Sequence, residues 1–394
     1  MGAQMIRSRE EYMAIRERER QNKAMYCEGS GLALAPHTIC LSVNNNCFMS
    51  CKMCDIGAAN SGRLSEVEQG YFSRRYAKHR GYVEFPFDRI KDLVDEMSPY
   101  SPIFKTNFVE PLLYRRIRDV AEYVKGKGLK YYTITNGWTL ARHVPWLIEL
   151  EADLVRVSLD GVPNVHDFIR GRPGSFERTL SGITELLKQR DRRGQFAPIL
   201  GICYTISNFN YFNIVDFMEY LRLQGILERV YVNFNHLQFT TPWEVAATKA
   251  ESEYFDHLCE CSLADVVFSD IDVAVLETQL HTVAERFDQE KYHYYFSPWL
   301  QAADLSDFYS PEKWMFPRTP CFLPWQAAQI EIDGSLGVYG HCILPTFGNI
   351  MESSFMEVWN STAAAKIRTD LKRNGSFPAC NRCIGTLYPL RGRD

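Results

Sequence analysis

The chain has 394 residues, of which 46% are hydrophobic and 23% charged, with 44 basic against 48 acidic side chains and a net charge of −4. That length and balance describe a globular protein with a large core, divided into two domains rather than one, and give no electrostatic reason to expect nucleic acid or an anionic membrane. No apolar run approaches the roughly 18 residues of a spanning helix, the N-terminus is charged rather than signal-like, and Ile6 stands where a myristoylation site wants Ser or Thr.

Residues 8–25 read as a charged helix opened by a capping box of Ser8 and Glu11 and broken by Gly29-Ser30-Gly31. From there short apolar runs alternate with amphipathic stretches. The pattern predicts strands at 38–43, 102–106, 129–135, 154–159, 198–206 and 229–235, with helices near 86–97, 111–126, 143–150, 176–190 and 211–224. Strand–helix alternation implies a parallel sheet, and six units are too few for a closed eight-stranded barrel. The expected fold is therefore α/β, a partial (β/α)6 barrel, whose working face is the carboxyl end of its strands.

Directly after the first strand comes Asn46-Cys47-Phe48-Met49-Ser50-Cys51-Lys52-Met53-Cys54-Asp55, three cysteines spaced C-x3-C-x2-C. Residues 241–315 differ in texture. A helical portion near 248–262 leads to an aromatic run with Tyr292, Tyr294, Tyr295, Phe296, Trp299, Phe308, Tyr309, Trp314 and Phe316. That run packs one domain on another, or forms a wall that stacks on a substrate. The last stretch centres on a hairpin from Gln329 to Tyr339 through an Asp333-Gly334 turn. The expected divisions are an N-terminal helical extension (1–35), the barrel (36–240), an aromatic-rich insert or linker (241–315) and a small α+β domain (316–394).

Seven of the twelve cysteines sit at metal-ligand spacings: Cys47, Cys51, Cys54, Cys321, Cys342, Cys380 and Cys383. Cys27, Cys40, Cys203, Cys259 and Cys261 are left over. This grouping implies a reducing cytoplasm with metal centres rather than a disulfide framework. Three thiolates on one loop suit a soft, thiophilic centre with one position open. Zinc with a ligand from elsewhere and simple buried thiols are the alternatives, although zinc sites usually pair C-x2-C with a second such unit.

The cysteine loop resembles that of the radical S-adenosylmethionine (radical SAM) superfamily, with Met53 where an aromatic is usual. Further matches follow in order. Phe108-Val109-Glu110-Pro111 resembles the family's Gly-Gly-Glu-Pro without its glycines, Thr135-Asn136-Gly137 a recurrent turn, and Val157–Gly161 with Arg170-Gly171 the segment near the SAM ribose and carboxylate. The resemblance implies a SAM-binding [4Fe-4S] cluster on Cys47, Cys51 and Cys54. It also implies SAM contacts from Glu110 to the amino group, from Ser158 and Asp160 to the ribose, and from Arg170 to the carboxylate. Ile199–Tyr204 would form the adenine wall. The C-terminal stretch is similar to the shortened, "twitch" form of the SPASM domain. Its four cysteines, Cys321, Cys342, Cys380 and Cys383, would ligate an auxiliary [4Fe-4S] cluster fully, with structural zinc as the alternative.

Enzymes of this family cleave SAM to a 5′-deoxyadenosyl radical that takes a hydrogen atom from a substrate. A fully ligated auxiliary cluster suits an electron acceptor. The expected reaction is thus dehydrogenation of a carbinol in a small molecule, a sugar or aminocyclitol of secondary metabolism, with flavodoxin or ferredoxin as electron donor. Asp304 and Asp307 would suit a cationic sugar, or a surface loop. Cys203, on the fifth strand, raises a redox-neutral alternative in which it returns a hydrogen atom and epimerises the substrate. Peptide modification is a further alternative, disfavoured because 36 residues before the first strand leave little room for a peptide-recognition domain. A non-catalytic iron–sulfur or zinc scaffold is the non-enzymatic one, disfavoured because it needs no SAM site.

Overall fold

The computed structural model describes residues 9–63, 81–251, 266–298, 300, 302–310, 312–313, 321–339 and 345–383. Helix α1 (Arg9–Glu28) leads to β1 (Thr38–Leu41) and, past the cysteine loop, to the short α2 (Asp55–Asn60). Then come α3 (Phe87–Met97), β2 (Ile103–Thr106), α4 (Ile117–Gly126), β3 (Lys130–Thr135), α5 (Leu140–Glu149) and β4 (Leu154–Ser158). The repeat continues with α6 (Pro163–Arg170), α7 (Ser175–Arg192), β5 (Ile199–Ile206), α8 (Ile214–Leu223) and β6 (Tyr231–His236). Strands β1 to β6 are the six expected, with ends moved by no more than about two residues, and they pair in parallel in chain order. Ser8 and the Glu11 side chain, the expected capping pair, lie outside the described residues.

Strand alternation explains which side is core. Ile39, Leu41, Phe104, Tyr131, Val155, Val157, Leu200, Ile202, Val232 and Phe234 are buried against the helices. The helices answer at helical spacing: Ile90, Leu93, Val94 and Met97 from α3, and Ile117, Val120, Ala121 and Val124 from α4. Each Val, Ile, Leu or Met among them contributes about 1.5–3 kcal/mol when fully buried. The opposite face of the same strands carries Cys40, Lys105, Arg156, Cys203 and Asn233, and forms the lumen.

The sheet extends beyond the expected six strands at both edges. After α9 (Pro242–Glu251) and α10 (Val273–Arg286), strand β7 (His293–Ser297) pairs in parallel with β6, and α11 (Ala302–Tyr309) follows. The stretch expected to be an insert or linker therefore supplies a seventh parallel strand. Its aromatics mostly pack: Tyr292, Tyr294, Phe296, Phe308 and Tyr309 are buried in the main core. Tyr295 instead turns to the lumen, while Trp299, Trp314 and Phe316 lie outside the described residues. Asp307 pairs with Lys313 at 2.6 Å on the exterior, as a surface loop would.

At the other edge α12 (Leu323–Gln326) leads into β8 (Ala327–Ile330), which pairs in parallel with β1. The hairpin partner β9 (Ser335–Val338) and then β10 (Gly348–Asn349) add antiparallel strands. The described sheet thus has ten strands in the order β10-β9-β8-β1-β2-β3-β4-β5-β6-β7. The C-terminal region is joined to the barrel by backbone hydrogen bonds and shares its hydrophobic core.

Two helices, α13 (Phe355–Trp359) and α14 (Thr362–Asn374), close the C-terminal region over the chain that precedes β1. Trp359 donates its indole N–H to the Leu34 carbonyl at 2.9 Å, and Asn360 exchanges two hydrogen bonds with Ala33. Arg368, fully buried, donates to the carbonyls of Pro324 (2.9 Å) and Gly31 (3.1 Å) and lies 4.5 Å from the Trp359 ring centre. Arg368→Ala orphans those carbonyls and is expected to cost about 3 kcal/mol in a denaturant titration. Arg368→Lys should recover only part, because an ammonium lacks the planar fork.

Candidate active site

The cysteine loop is pinned from four directions. Asn60 donates its side-chain amide to the carbonyls of Cys47 (2.6 Å) and Met49 (3.0 Å), and Arg63 reaches those of Ser50 and Cys51. The Ser50 and Lys52 amides bond to the carbonyls of Arg170 and Ile169 at the end of α6. Gly57, in the first turn of α2, lies so close to Cys51 that a Cβ would fall 2.4 Å from its amide nitrogen. Gly171 has φ +61°, and a Cβ there would meet the Ser50 carbonyl oxygen at 2.5 Å. Over the loop, Arg172 lies against both Phe48 and Trp138, 4.9 and 4.2 Å from their ring centres.

The three sulfurs are surrounded by N–H donors. The Met49 amide turns to Cys47, and those of Ile56 and Gly57 turn to Cys54. Asn136 Nδ2 stands 3.9 Å from Cys47 Sγ, and Arg170 Nη1 3.7 Å from Cys51 Sγ. Burial nevertheless pushes Cys54 up to about 12 and raises Cys47 and Cys51 as well. A thiolate trio therefore needs bound metal to exist at neutral pH. Among the described residues no three His, Cys, Asp or Glu side chains are gathered closely enough to hold one metal ion. In a cluster each thiolate binds a different iron, so the sulfurs stand farther apart than around a single ion.

Past β2, Phe108 and Val109 have φ of +62° and +52°. The missing glycines are replaced, but the left-handed backbone that favours glycine is kept, at about 1–2 kcal/mol per residue. Both side chains pack against Ile332 beside Ile56 and Val83. Glu110 is fully buried. Its carboxylate accepts from the Asn136 amide (2.6 Å), the Thr135 hydroxyl (2.7 Å) and the Leu112 amide (3.1 Å). It thereby ties the end of β2 to the end of β3 rather than standing open to a ligand, because an unpaired buried carboxylate would be far more costly.

Asp160 and Arg170 were expected to face SAM separately; here they face each other. Asp160 is buried, its Oδ2 lying 2.5 Å from Arg170 Nη2 and its Oδ1 accepting from the Thr205 amide at 2.9 Å. The Asp160 amide in turn donates to His166 Nδ1, and Asn210 donates to the Asp160 carbonyl. Arg170 therefore links this carboxylate to the Cys51 sulfur, neutralising a charge that burial would otherwise leave unpaired. Ser158 stands at the end of β4, directly beside Cys203 on β5, and Cys203 beside Asn233 on β6.

Cys321, Cys380 and Cys383 lie within electrostatic reach of one another, which with burial raises the Cys380 thiol; Cys342 lies outside the described residues. The Cys380–Cys383 segment is bolted to α9. Glu244, fully buried, accepts from Asn381 Nδ2 at 2.7 Å and from Arg382, whose guanidinium also donates to the Phe308 carbonyl. The Ala379 amide donates to the Thr248 hydroxyl at 2.9 Å.

Residues 41–235 match the family model described as the radical SAM superfamily, and residues 321–384 match that of the SPASM iron–sulfur cluster-binding domain. The chain is a radical SAM protein with a C-terminal SPASM domain. A Pyrococcus furiosus protein named as modifying the cofactor of tungsten-containing aldehyde ferredoxin oxidoreductase is 22% identical over 358 residues, 87% of this chain and 86% of that relative. The AdoMet-dependent heme synthase of Methanosarcina barkeri is 33% identical over 163 residues, 40% of each chain. Streptococcus suis SuiB bound to S-adenosylmethionine shares the fold, with a TM-score of 0.59 at 12% identity over 92% of this chain and 74% of that one. The anSMEcpe structure with bound AdoMet gives 0.56 at 14% identity, covering 84% and 82%. No helix among the described residues is long and apolar enough to cross a membrane.

A radical SAM domain binds a [4Fe-4S] cluster and SAM, and its SPASM domain binds a further iron–sulfur cluster. The N–H-lined, pinned thiols after β1 fit such a cluster, since N–H donors to sulfur stabilise thiolate ligands. Sequence named Arg170 as a SAM contact and Asn136 as part of a turn, not as holding the loop, while Glu244, Lys105 and Arg156 were not singled out. A charged residue inside an otherwise apolar strand, as at Lys105 and Arg156, was the available signal.

Two outcomes are expected. Glu244→Ala strands Arg382 and should cost about 3–5 kcal/mol, with C-terminal iron lost before N-terminal iron in a chelator time course. Burial, opposed by the Asn136, Thr135 and Leu112 donors, holds the Glu110 carboxyl at about 7 against an ordinary 4.5. Between those values the folded state without SAM holds a proton that the unfolded state has released. Stability should therefore fall as pH rises through that window, and Glu110→Gln should flatten the fall in denaturation midpoints.

Proposed function

We propose that this radical SAM protein is an oxidoreductase that converts a hydroxyl-bearing carbon of a small molecule, of sugar-like character, to a ketone. The carrying observation is the gathering of Cys321, Cys380 and Cys383 on a buried polar scaffold. With Cys342 they make four thiolates, a set that leaves no iron open and so suits electron transfer. When bound, a cluster on Cys47, Cys51 and Cys54 with SAM would supply hydrogen-atom abstraction, and a cluster on the C-terminal cysteines would supply an acceptor for the second electron of a carbinol oxidation.

The chain's own residues position and exclude. Cys47, Cys51 and Cys54 hold the SAM cluster, with Asn136 and Arg170 donating to its sulfur ligands. Glu110 fixes the turn that receives the SAM amino group. Ser158, with the Asp160–Arg170 pair behind it, lines the ribose side, and the lumen beneath takes the substrate. The similar proteins named as a cofactor-modifying protein and a heme synthase support a small-molecule substrate. Flavodoxin or ferredoxin supplies the first electron.

A second reading rests on Cys203. Its half-buried thiol lies beside Ser158 in the lumen, where a returned hydrogen atom would give epimerisation without net oxidation.

Anaerobic reconstitution tests the first reading. About eight irons per chain, falling to about four in a Cys47/Cys51/Cys54→Ala variant, is the expected count, whereas zinc in the C-terminal site would remove the argument for oxidation. Cys51→Ala should abolish 5′-deoxyadenosine formation. Cys203→Ala should leave ketone formation intact; its loss with SAM cleavage preserved would favour epimerisation.

A further inference from the structure

Two cations stand in the lumen and donate to phenol oxygens. Lys105, on β2, is 8% exposed; its ammonium donates to the Tyr339 hydroxyl and lies 4.5 Å from that ring's centre. Arg156, on β4 and half-buried, donates from Nε to the Tyr231 hydroxyl at 2.6 Å and from Nη2 to the Tyr295 hydroxyl at 3.4 Å. Among the described residues neither has a carboxylate partner. The arrangement is built rather than incidental. Gly201 lies between Arg156 and Tyr231 across the sheet, and a Cβ there would fall 2.2 Å from the Tyr231 ring. Only glycine lets that ring cross β5 to the guanidinium. The phenols come from β6, from β7 and from the residue after β9, so three regions of the chain converge here.

These cations share a space with the reacting layer. Arg156, Lys105, Asp160 and Arg170 all act electrostatically on the Cys203 thiol. Next to Cys203, Asn233 is 5% exposed and its Oδ1 has no partner. Arg368 shows that a buried cation without a carboxylate can be structural when carbonyls receive it, but Lys105 and the half-buried Arg156 have phenols instead, and a cation left short of acceptors costs stability. Phenol oxygens offset part of that cost; an anion offsets more, and pairs most strongly where water is excluded.

We infer that Lys105 and Arg156 form an anion-binding floor to the lumen, which takes a carboxylate of the substrate and holds its reacting carbon in the layer of Ser158 and Cys203. The inference rests on the proposed reading of the lumen as the substrate site and narrows its substrate class. It favours an acidic hydroxylated molecule over the cationic aminocyclitol that the sequence suggested.

The test uses the reconstituted holoenzyme and needs no substrate. Cys203 is alkylated in parallel with iodoacetate and iodoacetamide. In each case the thiolate sulfur forms a bond to the methylene carbon, iodide leaves and the thiol proton passes to buffer. Rates at the Cys203 peptide are read by mass spectrometry. Their ratio cancels changes in thiol acidity and leaves the effect of the probe's carboxylate. The iodoacetate-to-iodoacetamide ratio is expected to fall about tenfold in Arg156→Gln and in Lys105→Met, and to fall less in Arg156→Lys. In unaltered protein, acetate should slow the iodoacetate reaction more than equimolar phosphate does.

A ratio equal in all variants overturns the floor. Protection by phosphate alone overturns the carboxylate assignment. If the neutral variants fail to fold, Arg156→Lys and the protection experiment decide. 5′-Deoxyadenosine formation, measured on the same unaltered sample, separates the two readings. Its presence without anion preference sinks only the floor, and its absence sinks the radical SAM oxidation itself.

Discussion

Parallel pairing forces every strand of this sheet to deliver its chain to the same end. That constraint assembles the candidate site. The cysteine loop leaves β1, Glu110 follows β2, Asn136 follows β3, and Asp160 follows β4. Groups distant in sequence therefore meet without any special attraction between them. Side-chain bonds then tie each carboxyl end to its neighbour: Glu110 to Thr135 and Asn136, Asn136 to Cys47, and Asp160 to Thr205.

Buried or half-buried charge is the second organising force, and carboxylates, carbonyls and phenols receive it at different places. Asp160 with Arg170, and Glu244 with Arg382, are closed pairs braced by backbone and amide groups and, at Arg170, by the Cys51 sulfur. Such pairs add little net stability over apolar packing but punish any other arrangement, which suits loops that must present cysteines in one geometry. Lys105 and Arg156 have phenols where the others have carboxylates. Arg368 is a further case, a buried cation received by the carbonyls of Pro324 and Gly31.

The C-terminal domain is not an appendage. Strand β8 extends the barrel's own sheet beside β1, and Tyr339 at the end of its hairpin reaches Lys105. Ile332 covers Phe108 and Val109, the left-handed pair past β2. The same domain that gathers the auxiliary cysteines thus forms part of the lumen wall.

Much of this was legible in the residues. Strand–helix alternation located β1 to β6 because half-buried parallel strands and amphipathic helices have distinct apolar periods. The cysteine spacing marked both metal-binding stretches because thiolate chemistry tolerates few substitutes. Strand β7 was missed because its aromatics read equally as packing or as a wall, and periodicity does not say which edge a strand joins. That Asp160 would bind Arg170, that Glu244 would brace Cys380 and Cys383, and that Arg156 would meet Tyr231 across Gly201 could not be read from order alone. Sequence determined the elements and the chemical inventory, since both depend on local pattern and residue type. Tertiary structure alone decided the partners, because which buried charge meets which depends on strand register and crossover, quantities that no local stretch encodes.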